Sequence, residues 1–509
     1  MISISVNGKS YSVNAGQELG VFLREIQASE VRFPCGGHGK CGKCAVKASG
    51  MLSPVTEAEK RCLGEKGLAE GFRLACQTKA EGNCEILTGE GASFESGNVA
   101  ITGLMTDFEI APGFSRYGAA VDIGTTTIAA KLFDRKGNEL ASAGMQNPQY
   151  IWGADVISRM EAAISGHALE LARSVRTAVN DIIVRISAVA GIDPGLIDGV
   201  VVTGNTVMLY LLCEIDTEPL THAPFEAKEL FGREFAPEFA GISVTAPDAV
   251  LYLPPCISAF VGADITCAAM AAGLERPGDV EILTDIGTNG EMILRGKNGL
   301  FACSTAAGPA FEGAGISTGM GGTEGAIDRV KLAGDGGLSV HVIGSEKGAE
   351  EKGICGSGIV DAVACLRELE AIDETGFMED EPYLIGHRVS LTQKDIRAVQ
   401  LAKSAIHAGL LTLMKAAGER EADVKRLTVA GGFGNYIDIE NAGRIGLIPS
   451  GLVSKVFAAG NAALSGASML LLSLPLRRVA PEFSRSVKTV ELSTDPFFSD
   501  EFMNRMLFE

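Results

Sequence analysis

Ala120-Val-Asp-Ile-Gly-Thr-Thr-Thr-Ile128 and Leu283-Thr-Asp-Ile-Gly-Thr-Asn-Gly-Glu291 are two copies of one short pattern, and reading them decides the fold. Their aspartates lie 285 − 122 = 163 residues apart. In each copy an apolar run delivers a carboxylate, Asp122 or Asp285, and a glycine follows two positions later, Gly124 or Gly287. Glycine permits a tight turn, so each copy predicts a β-hairpin. The turn's backbone N–H groups and the hydroxyls of Thr125, Thr126, Thr127 and Thr288, with Asn289 beside them, can donate to phosphate oxygens. The aspartates would hold Mg²⁺ directly or through water, because that ion takes few carboxylates and keeps several waters. Asp122, Asp285 and Glu291 are therefore the candidate catalytic groups, with the choice of water-positioning aspartate left open. Two such units at this spacing imply two related α/β lobes, each opening on a hairpin.

Working outward, Val429-Ala-Gly-Gly-Phe-Gly-Asn-Tyr-Ile437 predicts a strand running into glycines and then a helix. Backbone without side chains at Gly431, Gly432 and Gly434, followed by Asn435, can approach a flat adenine or ribose closely. A Walker A box is missing; its nearest candidate, Gly8-Lys9-Ser10, has Ser3 where the first glycine belongs. Gly460-Asn-Ala-Ala-Leu-Ser-Gly-Ala467 predicts another helix, packed closely through its small residues. Asn205 and Thr323-Glu-Gly are read equally as cleft lining or as turns.

The N-terminal stretch has a different grammar. Ile2-Ser-Ile-Ser-Val, Asn7-Gly8 and Tyr11-Ser-Val predict a hairpin. Leu19, Phe22, Leu23 and Ile26 predict a helix over 17–28, and Cys84-Glu-Ile-Leu a closing strand. Between them Cys35, Cys41 and Cys44 form C-x5-C-x2-C, and Cys76 follows in Leu74-Ala-Cys-Gln-Thr. Four thiolates from one glycine-rich loop and one distant position suit a [2Fe–2S] cluster, close to the plant-type spacing but with a first gap one residue longer. The loop glycines let amides turn toward the sulfurs. Zinc is the rival, weakened because C-x2-C occurs once, without the second knuckle. The other eight of the 12 cysteines repeat no ligand spacing and read as buried small hydrophobes.

Composition bounds the partners. The 509 residues carry 44 Lys and Arg against 63 Asp and Glu, a net charge of −19, which disfavours nucleic acid and anionic membranes. Apolar residues at 46% and charged residues at 21% describe a folded chain with a large core. The start lacks the basic-then-apolar layout of a leader, and no apolar run is long enough to cross a membrane, so a cytoplasmic location is expected. Thiols there are expected to bind metal or stay buried rather than form disulfides. The stretch 155–190 predicts helix with a break at Gly166, its default reading being core plus a solvated face.

The duplicated hairpins and the Gly-Gly-Phe-Gly-Asn segment resemble the superfamily of actin, sugar kinases and heat-shock chaperone ATPases. That resemblance implies two RNase-H-like lobes closing on ATP, with 122–127 and 285–291 as phosphate loops and 431–435 as the adenosine loop. The fusion of such an ATPase to a β-grasp [2Fe–2S] ferredoxin domain resembles the reductive activators of corrinoid proteins. Asn147-Pro-Gln-Tyr-Ile-Trp-Gly-Ala-Asp-Val-Ile-Ser-Arg159, Leu253-Pro-Pro-Cys-Ile-Ser-Ala-Phe-Val-Gly-Ala-Asp264, Cys303-Ser-Thr-Ala-Ala-Gly-Pro-Ala-Phe-Glu-Gly313 and Ile354-Cys-Gly-Ser-Gly-Ile-Val-Asp361 are similar to that family as well. The organisation expected is a ferredoxin domain at 1–90, a linker at 91–116, ATPase lobes at 117–280 and 281–474, and a tail at 475–509 packing on the ATPase, with one strand expected in it at Val487-Lys-Thr-Val-Glu-Leu.

The resemblance implies ATP-dependent return of Co(II) to Co(I) on a corrinoid protein of a methyltransferase or O-demethylase system. Cofactors would be the [2Fe–2S] cluster, ATP and Mg²⁺, with an external low-potential reductant as donor; a homodimer is compatible. The corrinoid would sit on the partner, since a D-x-H-x-x-G signature is missing; His341 has Gly344 but Ser339 where Asp belongs. The alternative is a small-molecule kinase with a redox-sensing ferredoxin domain, for which Asp264, Asp285, Glu291 and Glu324 are candidate bases.

Overall fold

The computed structural model describes residues 1–26, 28, 31, 33, 37, 39, 42, 44–88, 103–334, 336–431 and 436–508. The expected ligands Cys35 and Cys41, and Gly432, Gly434 and Asn435 of the third glycine segment, lie outside the described residues. The described residues fall into two compact units, one drawn from 1–95 and 147–175, the other from 96–146 and 176–509.

In the first unit, Ile2–Val6 and Lys9–Val13 pair antiparallel around Asn7-Gly8, both at positive φ (49° and 83°), the turn whose twist matches its strands. Ile2–Val6 also pairs in parallel with Lys79–Leu87, and the sheet continues antiparallel through Ala45–Leu52 to Phe72–Leu74. Lys79–Leu87 alternates strictly between exposed and buried residues, so one face meets the core. The helix Leu19–Glu25, shorter at both ends than the predicted 17–28, closes that core with Phe22 and Leu23 against Ile4, Val46 and Ile86. This is a β-grasp arrangement. The same unit includes the helix Val156–Ala162 and a π turn at Ala163–His167, where Gly166 at φ 101° makes the break foreseen in sequence. Trp152 is buried there, its ring 4.6 Å from that of His167 and tilted 36° to it, with the Arg24 guanidinium 5.2 Å from its ring.

The second unit repeats one topology. Its first sheet runs Arg233–Phe235, Val250–Leu253, Ile197–Gly204, Tyr117–Ile123, Thr127–Asp134, Glu139–Gln146. Its second runs Val456–Gly460, Arg426–Ala430, Glu281–Ile286, Gly290–Gly296, Gly299–Thr305, Val487–Thr489. In both, a central strand makes an antiparallel hairpin on one side and pairs in parallel on the other with a strand from far along the chain. The two central strands are those carrying Asp122 and Asp285. Helices Ala263–Ala271 and Ala462–Leu472 pack so closely that a Cβ on Gly466 would lie 1.9 Å from the Cys267 carbonyl oxygen, which explains the small-residue stripe. The tail is more helical than the single strand expected: helices Leu474–Ser486 and Pro496–Asn504 flank a short strand, Val487–Thr489. Among the described residues no helix is long and apolar enough to cross a membrane.

Candidate functional site

Two places concentrate chemistry. In the first unit Cys76 sits in the single turn Ala75–Gln77, and Cys44 just before the strand Ala45–Leu52. Their sulfurs lie 3.2 Å apart, at hydrogen-bond distance and without a disulfide between them. The turn is fixed from beneath by Glu59, fully buried, whose carboxylate accepts from Arg73 Nε (2.7 Å), the Leu74 N–H (3.2 Å), the Thr78 hydroxyl (3.0 Å) and the Thr56 N–H (2.8 Å). Burial pushes this carboxyl up, but Arg73 and the other donors outweigh it and hold it down at about 2. Gln77 Nε2 donates to the Gly37 carbonyl at 3.1 Å, tying the turn to the glycine loop. Two thiols brought this close from separate segments fit two ligands of a four-cysteine cluster.

The second place is a cavity of about 490 Å³ in the larger unit, lined by both hairpins. Each turn closes as the glycine reading requires: Gly124 N–H donates to Thr127 O at 2.9 Å, and Gly287 N–H to Asn289 O at 3.1 Å. Every expected site residue of the two hairpins lines the cavity: Asp122 and Gly124 through Thr127, then Asp285, Gly287, Thr288, Asn289 and Glu291. Gly431 lines it too, at φ 93°, where a Cβ would lie 2.6 Å from Asp285 Oδ1. Asn205 caps the helix Thr206–Cys213 and turns its amide to Thr125 Oγ1 at 3.3 Å, which settles it as cleft lining. Glu324 is exposed and stands outside the lining.

The electrostatics are those of crowded acids. Burial pushes the Asp122 carboxyl up to about 6, against a hydrogen bond from Asn461 Nδ2 at 2.9 Å. Burial, then the neighbouring charges of Asp122 and Glu312, push Asp285 up to about 7. Asp264 and Glu291 are held well above the usual carboxylate range, by burial and then by their acidic neighbours. Carboxylates that raise one another in this way are short of positive charge, and oxygen ligands of this kind suit Mg²⁺.

Two contributors escaped the sequence reading. Asn461 caps the helix Ala462–Leu472 (Leu464 N–H to Oδ1, 2.7 Å) and reaches Asp122 across 339 residues of chain; its signal was an Asn directly after a strand-ending glycine. Glu312, in the short turn Pro309–Glu312, bonds both hairpins; nothing in its spacing marks it.

Residues 4–81 match the 2Fe-2S iron-sulfur cluster binding domain, residues 117–277 the RACo middle region, and residues 279–509 the C-terminal domain of RACo, the ASKHA domain. The corrinoid activation enzyme RamQ of Eubacterium limosum is 35% identical over 428 residues, covering 77% of this chain and 70% of that protein. A Co(II) methylated amine-specific corrinoid protein reductase of Methanosarcina barkeri is 28% identical over 392 residues, 70% of each chain. A solved structure of a reductive activator for corrinoid, iron-sulfur protein superposes with TM-score 0.70 at 26% identity, covering 100% of this chain and 98% of that one.

Proposed function

The chain belongs to the family of reductive activators of corrinoid proteins, and on that premise we propose that it is an ATP-hydrolysing electron-transfer activator. Its substrate is the Co(II) centre of a corrinoid protein in a methyltransferase or O-demethylase system, which takes one electron and becomes Co(I). The observation that carries this reading is the presence, in one chain, of a convergent thiol pair in a β-grasp unit and a cleft built from two phosphate-type hairpins.

Cys35, Cys41, Cys44 and Cys76 would hold the [2Fe–2S] cluster, which supplies a one-electron carrier near ~ −400 mV. The chain's own part is to fix the ligands: Glu59 and Arg73 pin the turn bearing Cys76, and Gln77 ties that turn to the loop. An acceptor of still lower potential makes the transfer uphill by a factor of ten per ~59 mV. ATP offsets this if its binding or hydrolysis favours one state of the protein–partner complex.

In the cleft, Thr125–Thr127 and Thr288–Asn289 would donate to the phosphates, and Gly431, Gly432, Gly434 and Asn435 would pass the adenosine. Asp122 and Asp285, with Glu291, would hold Mg²⁺ largely through water and orient the attacking water; the ion supplies the charge these acids lack. Electrons would come from an external low-potential reductant.

The test is anaerobic. The protein is reconstituted with iron and sulfide, reduced, and mixed with a Co(II) corrinoid protein while ATP hydrolysis is followed. The reading expects a [2Fe–2S] EPR signal, lost in Cys44→Ala, and ATP hydrolysis stimulated by the corrinoid protein. γ-Phosphate appearing on a metabolite instead of in water would favour a kinase.

A further inference from the structure

One carboxylate in the cleft has no part in the activity just proposed. Glu312 stands in the turn Pro309–Glu312, and its side chain reaches the tips of both hairpins. It accepts from the Thr126 hydroxyl of the first hairpin. It also accepts from the Thr288 N–H at 2.8 Å and the Thr288 hydroxyl at 3.0 Å in the second. A Cβ built on Gly287 would lie 3.1 Å from Glu312 Oε1, so the carboxylate rests directly against that turn. These donors are among those assigned to phosphate oxygens, and a carboxylate here makes the same charge-assisted contacts that a phosphate would.

Ala310 and Phe311 of the turn that carries Glu312 are buried, while Glu312 itself is half-buried. Gly308 and Gly313 bracket the turn at φ 80° and 78°, a left-handed conformation that favours glycine. A Cβ on Gly308 would meet nothing within 4 Å, so glycine is needed there for its torsion and not for room. The Gly308 N–H donates to the Thr288 carbonyl at 2.9 Å, which links the turn's entry to the second hairpin.

Resting on the reading of this cleft as a nucleotide site, we propose that Glu312 is a built-in competitor for a nucleotide phosphate. It occupies donors of both hairpins in the nucleotide-free protein and is displaced, with its turn, when the magnesium nucleotide binds. Two oxyanions cannot share one set of three donors. The competitor therefore lowers apparent nucleotide affinity by the fraction of time that the seat is free. It also makes the position of residues 309–312 report on whether phosphate is present.

The experiment titrates full-length protein with a non-hydrolysable ATP analogue and Mg²⁺ by calorimetry, comparing wild type with E312A and with the near-isosteric E312Q. If the seat is free about a tenth of the time, E312A tightens binding about tenfold, and E312Q tightens it less. Hydrogen exchange in 308–315 rises when the analogue binds to wild type. Variants that bind no tighter than wild type would overturn this inference alone. A wild-type protein that binds no analogue would overturn the nucleotide reading together with it.

Discussion

Glu59 in the N-terminal unit and Asp122 in the cleft are both removed from bulk water, yet their surroundings treat them in opposite ways. Glu59 is met by a guanidinium, two backbone N–H groups and hydroxyls, and stays ionised down to about 2. Asp122 is met by one amide, and burial pushes its carboxyl up to about 6. The first arrangement is complete within the chain and fixes a loop. The second gains from a cation supplied from outside. On the proposed reading, full compensation marks the structural carboxylate, and missing compensation marks the one that would meet a cation.

The sharpest way to break this contrast is to orphan the structural carboxylate. Arg73→Ala leaves Glu59 buried without its cation and is expected to cost about 3–5 kcal/mol of the N-terminal unit's stability. Trp152, the single tryptophan, is buried in that unit and reports the shift in urea midpoint by fluorescence. Removing an acid from the cleft should do the reverse. Asp285→Asn relieves like-charge crowding, so thermal stability holds or rises, while ATP hydrolysis falls about 10²–10³-fold. A variant that melts early but still hydrolyses ATP would put Asp285 with the structural acids.

The pH dependence should separate the two regions next. Glu59 is an acid lowered from 4.5 to about 2, so its contribution is fully present above 4.5 and is lost as pH falls through about 2. Asp122 and Asp285 are acids raised from 3.8 to about 6 and about 7. Their contribution is fully present below 3.8 and is lost as pH rises through 6 and 7. Urea unfolding should therefore show the N-terminal unit gaining stability between pH 2 and 4.5. Hydrogen exchange should show the larger unit losing it between pH 4 and 7, with Mg²⁺ and nucleotide flattening that slope. The smallest effect expected is Asn461→Ala: Asp122 loses its amide and the helix its cap, and ATP hydrolysis should fall about tenfold, the loss of ~1.4 kcal/mol from a hydrogen bond to a charged group.

How much of this could be read beforehand follows from the range of each interaction. The hairpins are local: an aspartate, a glycine two residues on and hydroxyls beside it show in any window of nine residues. The Asn7-Gly8 turn was legible for the same reason. Glu59 was not, because its significance lies in Arg73, Leu74 and Thr78, 14, 15 and 19 residues further along the chain. Nor was Glu312, whose partner Thr126 lies 186 residues away. Asn461 stood in a segment read only as a closely packed helix, because its hydrogen bond to Asp122 joins positions 339 residues apart. The tail was read as one strand because Val487-Lys-Thr-Val-Glu-Leu alternates, whereas Ser473 and Pro475 start a helix just before it.

The most direct test follows Co(I) formation in a single turnover. Reduced, cluster-loaded protein is mixed anaerobically with a Co(II) corrinoid protein, with and without ATP and Mg²⁺, using wild type and Asp285→Asn. The account predicts Co(I) absorbance in the wild type only when ATP and Mg²⁺ are present, and almost none in Asp285→Asn although its cluster is intact. Co(I) appearing at the wild-type rate without nucleotide, or in Asp285→Asn, would contradict it.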